Sequence, residues 1–99
     1  MKKLLTVVTL GLASVAVTVQ ADEGQDIYNQ YCVACHATGV GPMAHDLTLW
    51  QPRLDDKGGV EGLLASAKQG LNAMPPMGTC MSCTDDQLRA AITFMTTAK

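Results

Sequence analysis

The chain has 99 residues and a formal net charge of −2; 47% of the residues are hydrophobic, 4% aromatic and 16% charged, and four are cysteines. A chain of this length makes at most one small domain. Its acidic balance lacks the basic patch that a phosphate backbone requires, so no nucleic-acid partner is expected.

Lys2 and Lys3 stand before a run from Leu4 to Ala21 that contains no charged residue and ends Val19-Gln20-Ala21 ahead of Asp22. A basic start, an apolar stretch and a small-residue end predict a secretory signal peptide over residues 1–21, cut after Ala21, and therefore export to the periplasm. The segment is short for a spanning helix and is interrupted by Thr6, Thr9, Gly11, Ser14, Thr18 and Gln20, which disfavours a retained anchor; no stable membrane insertion is expected after cleavage. Residues 22–99 then form the domain. Its aromatic residues are only Tyr28, Tyr31, Trp50 and Phe94, and a core so thin needs a staple, a metal or a cofactor.

Hydrophobic spacing predicts three main helices and no strand. The first runs from about Glu23 to Cys35, with Gly24, Ile27, Tyr28, Tyr31 and Cys35 recurring on one face and acidic residues at the end where the helix dipole favours them. A long irregular segment, Ala37 to Gly59, follows. Within it Asp46 is a candidate cap for a short helical piece, Leu47 to Gln51, that stops before Pro52. The second helix spans Val60 to about Gln69, with Val60, Leu63, Leu64 and Ala67 as its stripe, Leu71 extending it, and Gly70 as its stop. Another irregular segment, Gly70 to Cys83, leads to the third helix, which starts after Thr84 and continues to about Thr97. Leu88, Ala91, Ile92 and Met95 share a face there, and Thr84 with Gln87 spells a capping box. Loops this long in a small domain are functional or wrapped around something.

Cys32-Val33-Ala34-Cys35-His36 is a C-x-x-C-H sequence, the attachment signature of c-type haem. Two thiols three residues apart project to one side of a turn and can add across the two vinyl groups of one porphyrin. The next residue, His36, is then placed to ligate the iron. Haem c is attached outside the cytoplasm, where the leader would send the chain. Two other readings use the same cysteines. Cys32, Cys35, Cys80 and Cys83 form two C-x-x-C pairs that could hold zinc, and Cys32 with Cys35 could be a dithiol redox centre. The first lacks the hairpins of a zinc ribbon and the second lacks a β-α-β pattern.

For the sixth iron position the candidates are Met43, Met74, Met77, Met81 and Met95. Met74 is preferred because Pro75 and Pro76 stiffen the backbone beside it and hold it extended. Met77 is second, Met95 reads as core, and Met43 and Met81 as fillers. His45 would make a bis-His haem, but an isolated loop histidine is more commonly solvated.

With these residues in view the sequence resembles a class I cytochrome c of the c5 type. The resemblance is carried by Cys32 to His36, by Trp50-Gln51-Pro52-Arg53, by Gly70-Leu71-Asn72-Ala73-Met74-Pro75-Pro76-Met77-Gly78, and by Cys80-Met81-Ser82-Cys83. It implies an all-α fold with long loops wrapped around one covalently bound haem c, held by Cys32 and Cys35, with His36 and Met74 on the iron. It further implies a Cys80–Cys83 disulfide, Gly24 and Tyr28 packed against Phe94, and a Pro42 carbonyl accepting from the proximal imidazole. Trp50 and Arg53 match positions near the haem propionates. Three features depart from the family pattern: the stretch from Val40 to Asp46 is shorter than usual, His45 stands where a small residue, often Gly, is usual, and Met77 where Lys is common.

The expected function is one-electron transfer between respiratory redox partners, a reductase, an oxidase or another cytochrome, by a protein that is not an enzyme. Its acidic surface suits a partner with a basic docking face, and an exposed apolar haem edge also suits a weak homodimer. The competing reading is a haem enzyme or gas sensor with an open sixth site, which the Met74 assignment opposes.

Overall fold

The computed structural model describes residues 20–99. The predicted leader lies outside the described residues, apart from Gln20 and Ala21. Among the described residues no helix is long and apolar enough to cross a membrane.

The described residues form helices joined by loops and no strand; their one ladder contact is the isolated bridge between Leu71 and Met74. The first predicted helix is observed as three contiguous pieces: α1 (Gln20–Ile27), a π-helical turn (Tyr28–Cys32) and α2 (Val33–His36). The π turn, closed by Val33 N–H donating to the Tyr28 carbonyl, has no counterpart in the sequence reading. A single wide turn acts as a one-residue insertion, which rotates everything after it by about 100° around the axis. That is why the predicted stripe breaks: Gly24 and Tyr28 are buried, but Cys35, assigned to the same face, is exposed.

The second departure is α3 (Leu47–Lys57), which runs straight through Pro52 where a stop was expected. Asp46 does cap it, its Oδ1 accepting from Thr48 N–H at 3.1 Å. Proline deletes one bond, to the carbonyl of Thr48 four residues back. Thr48 is exposed, so the loss is cheap on this solvent-facing side of the helix. The helix ends at Gly58, whose φ of 83° and ψ of 34° close a left-handed cap. A Cβ on Gly62 would run into the Lys57 carbonyl, so only glycine permits the tight corner from α3 into the next helix.

Helix α4 (Val60–Gln69) has the predicted limits, with Leu64 and Ala67 buried and Val60 and Leu63 half-buried. Leu71, expected to extend its stripe, is instead 49% exposed, because the chain reverses at Gly70 into the Leu71–Met74 turn. A 3-10 turn (Pro76–Thr79) precedes α5 (Asp85–Met95), whose capping box between Thr84 and Gln87 is fully formed. Its four predicted core residues, Leu88, Ala91, Ile92 and Met95, are all buried.

Helix α1 packs across α5 and α4 packs beside it. A Cβ on Gly24 would collide with the Ala90 carbonyl, so the absent side chain sets the α1–α5 approach. One turn on, the Tyr28 and Phe94 rings meet at 5.2 Å. Tyr28, Trp50, Leu64, Ala67, Cys80, Cys83, Leu88, Ile92 and Met95 form one buried cluster. Polar ties fasten the frame: Gln87 Nε2 donates to Glu23 on α1, Arg89 makes a two-pronged pair with Glu61 on α4, and Lys68 reaches Asp85.

Candidate haem centre

Cys32 and Cys35 carry free thiols at the end of the first helical run, Cys32 half-buried and Cys35 exposed. Burial, reinforced by the neighbouring Cys35, pushes the Cys32 thiol up to about 11. A thiol raised in this way is less readily ionised than the lowered thiol of a reactive dithiol.

His36 follows, buried at the C-terminal end of α2. Its Nδ1 lies 2.8 Å from the Pro42 carbonyl oxygen. A carbonyl can only accept, so Nδ1 carries the proton and the lone pair is left on Nε2, the atom a metal would take. The ring is held on two further sides. Gly41 backs it so closely that a Cβ there would stand 3.0 Å from Cε1, and the Trp50 ring lies 5.7 Å away, tilted by 31°. Gly41 N–H donates to the Cys35 carbonyl and Ala44 N–H to that of His36, folding the loop over the imidazole. Gly41 escaped the sequence reading, although the Gly-Pro pair it makes with Pro42 marks a turn.

Trp50 is buried and spends its indole N–H on the Met43 carbonyl at 2.9 Å. That bond holds the loop beside His36. Arg53 is exposed and folds back on its own helix, Nη1 donating to the Leu49 carbonyl at 2.7 Å. It makes no hydrogen bond to the other residues of this cluster.

Met74 is half-buried against the core cluster, its backbone locked to Leu71 by two hydrogen bonds of 2.9 and 3.0 Å. Met95 is core, at 3% exposure, whereas Met43 and Met81 are exposed. His45 is half-buried and tied to the C-terminal end of the chain: its Nδ1 lies 2.8 Å from the Thr97 carbonyl and its ring packs edge-on to Phe94. Cys80 and Cys83 are joined by a disulfide and buried, so they are not free to complete a four-thiolate zinc site. Cys83 is followed by Thr84, so this second pair lacks the histidine of an attachment motif.

The donor set fits haem c: two unpaired thiols three residues apart, an imidazole with its tautomer fixed and Nε2 free, and a thioether on a stiff loop. A cavity of about 660 Å³ lined by residues including Gln25, His45, Arg89 and Phe94 contains none of these groups.

Comparison with known proteins agrees. Residues 19–95 match the family model described as cytochrome C oxidase, cbb3-type, subunit III. Cytochrome c5 of Azotobacter vinelandii is 53% identical over 74 residues, covering 73% of this chain and 89% of that one. A mono-heme ferrocytochrome c from Shewanella putrefaciens superposes with a TM-score of 0.67 at 47% identity, covering 77% and 94% of the two chains. A chain from the crystal structure of an electron transfer complex of nitrite reductase with cytochrome c gives a TM-score of 0.68 at 38% identity, covering 75% and 90%.

Proposed function

The chain belongs to the cytochrome c family, in its c5 type, and carries one covalently bound haem c as a small electron carrier; on that premise we propose that it is exported by its leader, cleaved after Ala21, and shuttles single electrons between respiratory partners in the periplasm. Cys32 and Cys35 form the thioethers, His36 Nε2 and the Met74 sulfur ligate the iron, and Cys80 with Cys83 staples the loop that follows Met74. The observation that carries the ligand assignment is the His36–Pro42 hydrogen bond, which leaves one nitrogen, and only that one, free to bind metal.

The haem supplies a reversible one-electron couple, raised in potential by a methionine ligand. The protein's part is to hold the ligands still. Pro42 fixes the tautomer and rotation of the imidazole, and Gly41 and Trp50 close its sides. Met74 sits between the Leu71 turn and two prolines. Val40, Met43, Leu47 and Leu49, in the segment after His36, and Leu71 and Met81, flanking Met74, are large apolar side chains at 37–72% exposure. They are the apolar surface with which both segments can wrap a porphyrin, and the part left uncovered is where a partner would dock. An oxidoreductase partner is supported by the nitrite reductase complex in which a similar chain occurs.

The test is the optical spectrum of the matured protein in both oxidation states, repeated for Met74→Ala and Met77→Ala. A ferric methionine-ligation band that is lost in Met74→Ala and kept in Met77→Ala is the expected result. Loss only in Met77→Ala would move the ligand. A high-spin wild type that binds carbon monoxide would replace the carrier reading with an open-site haem protein.

A further inference from the structure

Between Met74 and α5 the backbone enters the left-handed region for three residues in succession. Met77 has φ 62° and ψ 11°, Gly78 φ 56° and ψ 29°, and Thr79 φ 70°. Only Gly78 takes this conformation without cost. Met77 has a Cβ, and Thr79 is β-branched, the worst kind of residue to place there. Such a run persists only where its surroundings hold it.

Both ends are held. Upstream, Pro75 is extended at φ −72° and ψ 158°, and Pro76 opens the 3-10 turn. Downstream, Cys80 N–H donates to the Met77 carbonyl and Cys83 N–H to the Cys80 carbonyl, and the two cysteines are bonded and buried in the core. The turn so held runs past Met74: a Cβ built on Gly78 would stand 3.6 Å from the Met74 methyl carbon. A strained turn, a covalent anchor and the thioether of Met74 are thus in mechanical series.

We propose that the left-handed turn Met77–Thr79, tied off by the Cys80–Cys83 disulfide, positions the Met74 thioether, and that reductive opening of that disulfide releases Met74 from the iron. The inference rests on the reading of Met74 as the axial ligand. The reductant is a dithiol. Its thiolate attacks one cysteine sulfur, the S–S bond breaks, and the other cysteine leaves as a thiolate that takes a proton. The second thiol of the reductant then resolves the mixed disulfide, so two electrons and two protons pass to Cys80 and Cys83 and the reductant leaves as a disulfide. Because both cysteines are buried, the reductant must wait for the turn to open, and the anchor stays closed during ordinary electron transfer.

The experiment uses the matured haem protein in three forms: wild type, Cys80→Ser/Cys83→Ser, and that double variant with Met77→Gly/Thr79→Gly added. Wild type is also treated with dithiothreitol, alkylated with iodoacetamide and reoxidised. The readouts are the ferric methionine-ligation band and carbon monoxide affinity of the ferrous form, with far-ultraviolet circular dichroism to check that the helices remain.

Wild type should show the band and exclude carbon monoxide. The serine variant and the reduced, alkylated protein should lose the band and bind carbon monoxide at least about tenfold more tightly, the size expected when one non-glycine residue leaves the left-handed region. The glycine substitutions should restore the band, since a turn that costs nothing needs no anchor. A serine variant that keeps the band and excludes carbon monoxide overturns the proposal, and so does loss of the band without rescue by glycine. If wild type itself lacks the band, the assignment of Met74 fails instead, and the two failures are distinguished within one set of spectra.

Discussion

The imidazole of His45 stands edge-on to the ring of Phe94, with centroids 4.7 Å apart and planes at 81°. His45 has φ 70°, its N–H donates to the Met95 carbonyl, and its Nδ1 to that of Thr97. A glycine would take this conformation freely, whereas this histidine bears the left-handed cost and offsets it by tying the loop after His36 to the end of α5. His45→Ala loses the side-chain bond and the ring contact while keeping the backbone cost, and should destabilise by about 1–2 kcal/mol. His45→Gly recovers part of that loss and should be the milder change. Denaturant unfolding of the haem protein gives the order, and an alanine variant as stable as the glycine one would contradict it.

Gly24→Ala should destabilise although Ala is the better helix former. Propensity favours the change by about 1 kcal/mol, but the new methyl would press on the Ala90 carbonyl, a backbone atom that cannot swing aside. Overpacking of this kind costs about 1–3 kcal/mol, and a clash with backbone falls at the upper end of that range, so the net loss should be about 1–2 kcal/mol, with α1 displaced from α5. Equilibrium unfolding and the Tyr28–Phe94 contact seen by NMR check both parts.

Much of this was legible before any coordinates. The limits of α4, the buried face and capping box of α5 and the Asp46 cap all follow from local chemistry: apolar spacing, a glycine stop, a side chain that reaches a free amide. The attachment motif was legible because its spacing is set by the porphyrin rather than by the fold. The features that were missed are all of another kind. The π turn at Tyr28–Cys32 follows the Gly24–Tyr28 face that packs on α5, and nothing in the five residues spells it. Pro52 is tolerated inside α3 because one lost bond on a solvent-facing side is cheap, and solvent-facing is a tertiary fact. The roles of Gly41 and Gly78 depend on side chains, His36 and Met74, that reach them only after the loops have folded.

Acid should weaken the α4–α5 clamp in one direction only. The Arg89 hydrogen bonds hold the Glu61 carboxyl below the usual glutamate range, and Glu61 in turn raises Arg89. A carboxyl lowered by folding contributes stability above its unfolded value and loses it as pH falls through the folded one; the Arg89 shift is the other half of the same interaction, so it is present at neutral pH and fades in acid as Glu61 is protonated. Both groups are exposed, so the effect is small and screened by salt. The expected result is a shallow acid decline of Tm in wild type at low salt, flattened in Arg89→Gln and by added salt. An unchanged decline in the variant would assign the acid sensitivity to other carboxylates.

Removing the haem should cost more than any of these substitutions. The buried cluster is small and draws on few large side chains, and a domain of this length without added support sits close to the limit of stability. Val40, Leu71 and Met81 stand 49–72% exposed on the two loops, and in the haem-free chain that surface has nothing apolar to cover it. The disulfide closes so short a loop that it adds only about 2 kcal/mol to a chain of otherwise marginal stability. A Cys32→Ala/Cys35→Ala chain beginning at Asp22 should therefore give a broad, weakly cooperative melt by circular dichroism, with α1 and α5 retaining helical character only in part. The matured protein should melt in a single sharp step. A sharp, two-state melt of the haem-free chain within a few degrees of the matured protein would show instead that Tyr28, Trp50, Leu64, Leu88 and Ile92 suffice as a core, and that the haem is a passenger on a fold already made.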